Sequence, residues 1–319
     1  MNFPQLIENI LQALTAGLLT GAIYGLMCVG LSLIFGVMRV INFAQGDFMM
    51  LGMYAAYYAF GVIGAHSVLG PAADPYLAAL IAAPLVFLAG WLVHKFLVSR
   101  VTGMRGNALE SEGHYAQLIL TLGIALVLQN GGLFVFGSTP VSIPTPLSSN
   151  AWTIGPLYGD RVEIFVNQGQ AVSGVLALLT VLGFVLLMAR SRLGKSLRAA
   201  ADNPEAAIYM GIDVERAHRL AFGFGVAITA VGGGLLASGS PFQPYVGLEY
   251  VIIMYAGVVL GGLGSVSGAF LGGLTIGLVQ QLSTLVLPNQ LQNTAIFVVF
   301  LVIILLRPQG LFGRIARRT

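Results

Sequence analysis

Two groups of residues in this chain have the types and spacing to do chemistry, and both stand against an apolar background. The first is Asn42, Gln45 and Asp47, inside Met38-Arg39-Val40-Ile41-Asn42-Phe43-Ala44-Gln45-Gly46-Asp47. Polar side chains at membrane depth are costly unless they face protein or water. Two arrangements satisfy that condition. One is a plain turn in which Asp47 caps the next helix; the other is a broken helix whose freed backbone groups, with these side chains, line a watery cavity. Gln129 and Asn130, late in another apolar run, are further candidates for such a pathway, and Gln280 with Gln281 form a third amide pair. For each pair the competing use is a hydrogen bond between helices.

The second group is a charged island from Arg190 to Arg219, one of few segments compatible with both water and helix. Within it Asp202 or Asn203 can cap a helix, Pro204 suits the first position, Glu205 complements the positive end, and Gly211 is a natural terminator. A short helix of about two turns is expected there. Ala206 and Ala207 permit close approach, and Tyr209 or Met210 offer apolar anchors, so the helix fits a groove on a soluble partner. An ordinary loop helix without a partner is the alternative.

The elements that must position these groups follow from composition. Of 319 residues 57% are hydrophobic and 8% charged, against about 25% charged in a soluble protein. This implies an all-α polytopic membrane protein in contact with lipid, since lipid admits only helices or closed barrels and the alternation of barrel strands is absent. Apolar runs cover 10–37, 43–63, 76–98, 116–136, 171–189, 220–238, 250–287 and 294–306. The run 250–287 is too long for one crossing and is interrupted at Gly261-Gly262-Leu263-Gly264-Ser265, so it splits in two. The expectation is a bundle of about eight or nine crossings with broken or re-entrant segments, forming one transmembrane domain over 1–319. The first run is not read as a removed targeting peptide, because similar runs recur along the whole length.

Basic residues set the orientation. Lys95, Arg100 and Arg105 share one loop; Arg190, Arg192, Lys195, Arg198, Arg216 and Arg219 share the island; Arg307, Arg314, Arg317 and Arg318 end the chain. With all three on the cytoplasmic side, the amino terminus is outside and the carboxyl terminus inside. The longest outer connection is then 137–170, rich in Pro, Ser and Thr and holding Trp152 and Tyr158; it is expected to rest on the membrane surface or receive an external partner. The net charge of +3 reads as membrane orientation and not as nucleic-acid binding. Among 42 glycines, Gly17, Gly21 and Gly25, Gly257 with Gly261, Gly268 with Gly272, and Gly273 with Gly277 recur every fourth residue, as close-packed membrane helices require.

No cofactor is expected. His66, His94, His114 and His218 are scattered, and Cys28 is isolated in an apolar run and read as a packing residue. Gly194-Lys195-Ser196 is not a phosphate loop, because Ala189 stands where its first glycine belongs.

Two of these segments carry a resemblance. Glu205-Ala206-Ala207-Ile208-Tyr209-Met210-Gly211 reads EAAxxxG and looks like the coupling motif of bacterial ABC importer permeases. Asn42-Phe43-Ala44-Gln45-Gly46-Asp47 and the six residues before it resemble the signature of the LivH-type permease of branched-chain amino-acid importers. The likeness extends to Gly194-Lys195-Ser196-Leu197-Arg198-Ala199 and to 257–269, and so over nearly the whole chain. It implies a non-enzymatic subunit of the bacterial inner membrane. Its partners would be a second, LivM-like permease, two LivG/LivF-like cytoplasmic ATPases and an extracytoplasmic amino-acid binding protein. It also implies that Glu205, Ala206, Ala207 and Gly211 belong to the helix that docks on the ATPase. Related permeases carry urea or short amides, and other amino acids fit equally. An ion-coupled secondary transporter needs more intramembrane acids than Asp47 and Glu249, and a passive channel needs no docking helix.

Overall fold

The computed structural model describes residues 3–66, 70–103, 110–157, 162–288, 291–307 and 310–311. Arg105, Tyr158, Arg314, Arg317 and Arg318 lie outside the described residues. The order is α1 (Phe3–Met38), α2 (Gln45–His66), α3 (Asp74–Val93), which runs through a wider π turn at His94–Val98 into α4 (Ser99–Gly103), α5 (Glu110–Phe136), β1 (Ala151–Leu157), β2 (Val162–Asn167), α6 (Gln168–Arg190), α7 (Arg192–Asp202), α8 (Pro204–Tyr209), α9 (Val214–Ala237), α10 (Val246–Gly261), α11 (Val266–Ser283) and α12 (Gln292–Leu306).

Among the described residues six helices are long and apolar enough to cross a bilayer: Gln5–Met38, Asp74–Val101, Tyr115–Phe136, Gln168–Arg190, Val214–Ala237 and Val266–Ser283. Two apolar helices, Val246–Gly261 and Gln292–Leu306, are shorter. The chain is therefore a predominantly helical, multi-pass membrane protein with six full-length apolar spans among the described residues.

α9 is the axis. From Ala221 to Ser238 every residue except Phe224 is buried, and α1, α2 and α3 pack around it. Its Gly, Ala and Thr content keeps the surface low enough for three neighbours to approach at once. α1 and α11 meet backbone to backbone: a Cβ on Gly21 would lie 2.7 Å from the Leu274 carbonyl oxygen, and one on Gly273 would lie 2.5 Å from the Gly25 nitrogen. α10 and α11 cross in the same way through Gly257, Gly261, Gly268 and Gly272. The four-residue glycine spacings thus mark two real contact faces. The turn between α10 and α11 falls at 262–265, with Gly262 (φ 95°) and Gly264 (φ 83°) in the left-handed region and Ser265 capping α11 through the Gly268 amide at 3.1 Å. Cys28 is wholly buried on the α1 face toward α10.

The helical-throughout expectation fails between α5 and α6. There β1 and β2 pair antiparallel, Trp152 opposite Val166 and Ile154 opposite Ile164. Trp152, Thr153, Ile154, Ile164, Phe165 and Val166 are strand-favouring types in runs too short for a spanning helix. Gln12 at the far end of α1 anchors the hairpin, its side chain accepting from the Phe165 amide at 2.9 Å and donating to the Phe165 carbonyl at 2.5 Å. The hairpin defines one end of the bundle; Lys95, Arg100, the charged island and Arg307 define the other.

Candidate functional site

The break between α1 and α2 is real and lies deep. After Met38 the chain reverses through Arg39, which takes a left-handed conformation (φ 54°), and stays non-helical to Ala44. α2 then opens beside the middle of α9. The Gln45 amide donates to Gly225 O at 3.2 Å and Thr229 Oγ1 at 2.6 Å. Gly225 stands eleven residues beyond Val214, so α2 starts about 17 Å inside the basic end of α9 at 1.5 Å per residue. Asn42 Nδ2 donates to Gln45 Oε1 at 2.9 Å, while Asn42 Oδ1 accepts from the Ala44 amide at 3.2 Å. Asn42 and Gln45 thus meet protein partners on all sides and are fully buried.

Asp47, one residue past Gly46, is placed differently. It is 2% exposed and its Oδ1 has no hydrogen-bond partner among the described residues. It lies against Gly247 in the first turn of α10, where a Cβ would come within 2.7 Å of Oδ1, and Gln129 of α5 reaches its carboxyl group. A Cβ on Gly46 would strike the Gly247 carbonyl oxygen. Two helix amino termini, of α2 and α10, therefore converge on one buried carboxyl group, and their partial positive charge favours it there.

α5 closes the site from the side. Gln117, Thr121 and Gln129 are buried, whereas Ile119, Val127 and Phe134 on other faces are exposed. Thr121 donates to Ile41 O at 3.4 Å, Gly132 packs on Met50, and Phe136 stacks on Tyr54 at 3.9 Å between ring centroids. Along this seam Gln117 Nε2 and Oε1, Asp47 Oδ1 and Tyr54 OH are buried without hydrogen-bond partners among the described residues. Such orphaned groups are rare and call for a cause. From Gln117 to Phe136 the seam runs nineteen residues, about 28 Å, the thickness of a hydrocarbon core. Asn130 is not part of it: its side chain is exposed and donates to Leu126 O of its own helix at 2.8 Å. Gln280 takes the interhelical use, accepting from Tyr24 OH at 2.9 Å.

The island folds into two helices where one was expected. Ser191 caps α7 through the Gly194 amide at 2.9 Å, and Arg198 donates to Met188 O, tying α7 back to α6. α8 has the anticipated chemistry: Asn203 Oδ1 accepts from the Ala206 amide at 3.0 Å, Pro204 follows, and Gly211 ends the unit at φ 78°. Glu205 and Ala206 are exposed, as are Ile208, Tyr209 (89%) and Met210 (81%). Ala207 is turned inward at 3% and its carbonyl accepts from the Ile212 amide. Sequence reasoning missed Ile208 as part of the outer face, and missed Thr229, Gly225 and Gly247 as partners of the break. Gln117 carried a signal, since it is one more amide within an apolar run.

The family model described as "Branched-chain amino acid transport system / permease component" matches residues 13–306. The high-affinity branched-chain amino acid transport system permease protein LivH of Escherichia coli K12 is 28% identical over 308 residues, 95% of this chain and 96% of its own. The corresponding BraD protein of Pseudomonas aeruginosa is 30% identical over 314 residues, 97% of each chain. A probable branched-chain amino acid transport permease LivH of Methanocaldococcus jannaschii is 28% identical, covering 90% of this chain and 88% of its own. No solved structure matches.

Proposed function

This chain belongs to the family of branched-chain amino acid transport permease components, and from that premise we propose that it is the membrane subunit of an ATP-binding cassette importer carrying leucine, isoleucine and valine inward. The family match along almost the entire length carries the reading. The chain itself transports and does not hydrolyse nucleotide. It works in the bacterial inner membrane with a second, LivM-like permease, two LivG/LivF-like ATPases and an extracytoplasmic amino-acid binding protein. The helices α2, α10 and α12 complete the crossings, the hairpin end faces outward and the basic end faces the cytoplasm, as the Lys and Arg distribution favours.

Glu205, Ala206, Ala207 and Gly211 form the coupling unit. The exposed apolar triad Ile208, Tyr209 and Met210 supports this, since large apolar side chains on a water-facing helix favour a partner groove. Ala207 serves from the inner side by holding α8 to the rest of the loop. Asn42, Gln45, Asp47 and Gln129 belong to the translocation pathway, with Asn130 on the neighbouring face of α5. The orphaned polar atoms between α5 and α2 support a pathway that is closed here, and whose groups gain partners when α5 moves aside during alternating access.

ATP-dependent uptake of labelled leucine into vesicles holding this chain with its candidate partners tests the function. Uptake by this chain alone, driven by a proton or sodium gradient, would overturn it. Within the working complex, Glu205→Lys or Gly211→Pro should abolish co-purification of the ATPases while the chain stays inserted. Asp47→Asn and Gln45→Leu should lower uptake by at least about tenfold, the loss expected when a buried polar partner is removed. Wild-type rates in both pathway variants would leave the break as a turn and nothing more.

A further inference from the structure

At the basic end of α3, where the helix widens into the π turn at His94–Val98, two cations gather on one ring. Lys95 Nζ lies 5.1 Å from the centre of a Trp91 ring, and the Arg219 guanidinium, reaching over from α9, lies 5.4 Å from it. Sharing that ring, the two charges are at most 10.5 Å apart. Among the described residues neither is ion-paired with a carboxylate, and Glu215, four residues before Arg219, leaves it unpaired. A cation–π contact orients a cation without neutralising it. Arg219 Nε is buried with no hydrogen-bond partner among the described residues. His94, next to Lys95, is buried with neither ring nitrogen hydrogen-bonded among the described residues, and the ionisable side chains acting on it, His218 and Arg219, are basic too. Buried polar groups left without partners call for a cause, and here the missing partner is an anion.

The outer side of α3 leads straight to this pair. Ile81, Leu85, Leu88 and Leu92, spaced by four, three and four residues, form one exposed apolar stripe, and Lys95 continues it three residues on. From Ile81 to Leu92 the stripe is about 16 Å long at 1.5 Å per residue, half of the roughly 30 Å hydrocarbon core. A single lipid leaflet therefore covers it. Trp91 stands at the boundary, where amphipathic rings settle at headgroup level. An acyl chain along the stripe puts its phosphodiester beside Lys95 and Arg219. The π turn falls at the same level, and such turns recur at functional sites.

We propose that Trp91, Lys95 and Arg219 form a binding site for an anionic phospholipid, of the phosphatidylglycerol class, in the leaflet at the basic end. The phosphodiester accepts from Lys95 Nζ and from the Arg219 guanidinium, whose planar donors match phosphate oxygens, and one acyl chain lies on Leu88 and Leu92. An ethanolamine headgroup brings an ammonium that meets two cations here, so the lipid of net negative charge is favoured. The two cations belong to α3 and α9, so an occupied site holds these helices together at the end where α9 follows α8. The site does not depend on which solute the protein carries.

The chain holds two tryptophans, Trp91 and Trp152. In a Trp152→Phe background the fluorescence of the full-length chain in nanodiscs therefore reports on the site alone, and lipids brominated in their acyl chains are the quenchers. Half-quenching should need at least about tenfold less brominated phosphatidylglycerol than brominated phosphatidylethanolamine, the discrimination that two basic residues supply. Lys95→Gln with Arg219→Gln should bring the two lipids within about twofold of each other, whereas Arg192→Gln, on α7 and outside this cluster, should leave the preference intact. If the double variant fails to insert, Lys95→Gln alone decides, because that side chain is exposed, and its preference should fall by at least about threefold. Equal quenching by both lipids before these changes, or a preference that survives the loss of Lys95, overturns the site. Loss of the preference in Arg192→Gln would trace it to diffuse surface charge and overturns the site as well. Fluorescence recovered by inorganic phosphate, but not by sodium chloride at equal ionic strength, would assign the cations to free phosphate and overturn the lipid.

Discussion

At Gly46 a single missing methyl group lets the first turn of α2 touch the first turn of α10. Gly46→Val would drive a side chain into the Gly247 carbonyl and the Val251 side chain, an overpacking that costs about 1–3 kcal/mol where the neighbours can yield and more where they are backbone. We expect loss of assembled permease, read as membrane-fraction yield and protease resistance, with Gly46→Ala milder than Gly46→Val. Gln45→Leu should cost about 1–3 kcal/mol through the buried Asn42 amide nitrogen it leaves unpaired, visible as a lower melting temperature in detergent. Asn42, Gln45, Asp47 and Gln129 were legible in the sequence because polarity in an apolar run has few uses. The need for glycine at Gly46 was not, because its cause is Gly247, two hundred residues on. Asn130 illustrates the complementary difficulty: it adjoins Gln129 in the chain but sits about 100° around the helix, and only knowledge of which face is buried separates the two.

Among the elements, α8 was the most legible because its limits are written in local chemistry. Asn203, Pro204 and Gly211 each act on the backbone within a few residues, so no distant contact is needed to place them. Asn203→Ala should therefore loosen α8 by about 1 kcal/mol, seen as roughly fivefold weaker ATPase affinity with unchanged permease yield. Helix α7 was harder to read, since Ser191 caps it within a basic stretch that reads equally well as loop. The hairpin was hidden for another reason: strand pairing is a long-range bargain, and β1 alone carries no mark of β2 or of Gln12. α5 is the helix whose freedom the seam requires. Joining it to α2 by Tyr54→Cys with Phe136→Cys and a short bifunctional thiol reagent should arrest uptake, with recovery when a cleavable linker is reduced. Full uptake in the linked protein would mean that α5 and α2 move as one.

For the whole molecule, the glycine-lined contacts of α1 with α11 and of α10 with α11 make a block without a compressible layer of side chains. Gly277→Leu should prevent that block from forming, because its Cβ already meets the backbone of Gly21; the readout is absence of folded protein, not slow transport. Movement during the proposed transport cycle is then expected at surfaces padded by side chains, such as that between α5 and α2. The overall architecture was legible as far as apolar length shows it. The short α10 and the polar start of α2 blurred the count, because both begin inside the layer and not at its edge. That depth also has a consequence in time. The acceptor for the Gln45 amide at Gly225 lies 180 residues downstream, so at about 5–20 residues per second the ribosome needs roughly nine to thirty-six seconds to supply it. For that interval the Gln45 side chain has Asn42 beside its oxygen but no final acceptor for its amide nitrogen. Insertion of α2 is then completed only when α9 arrives, which makes the last half of the protein a chaperone for the first.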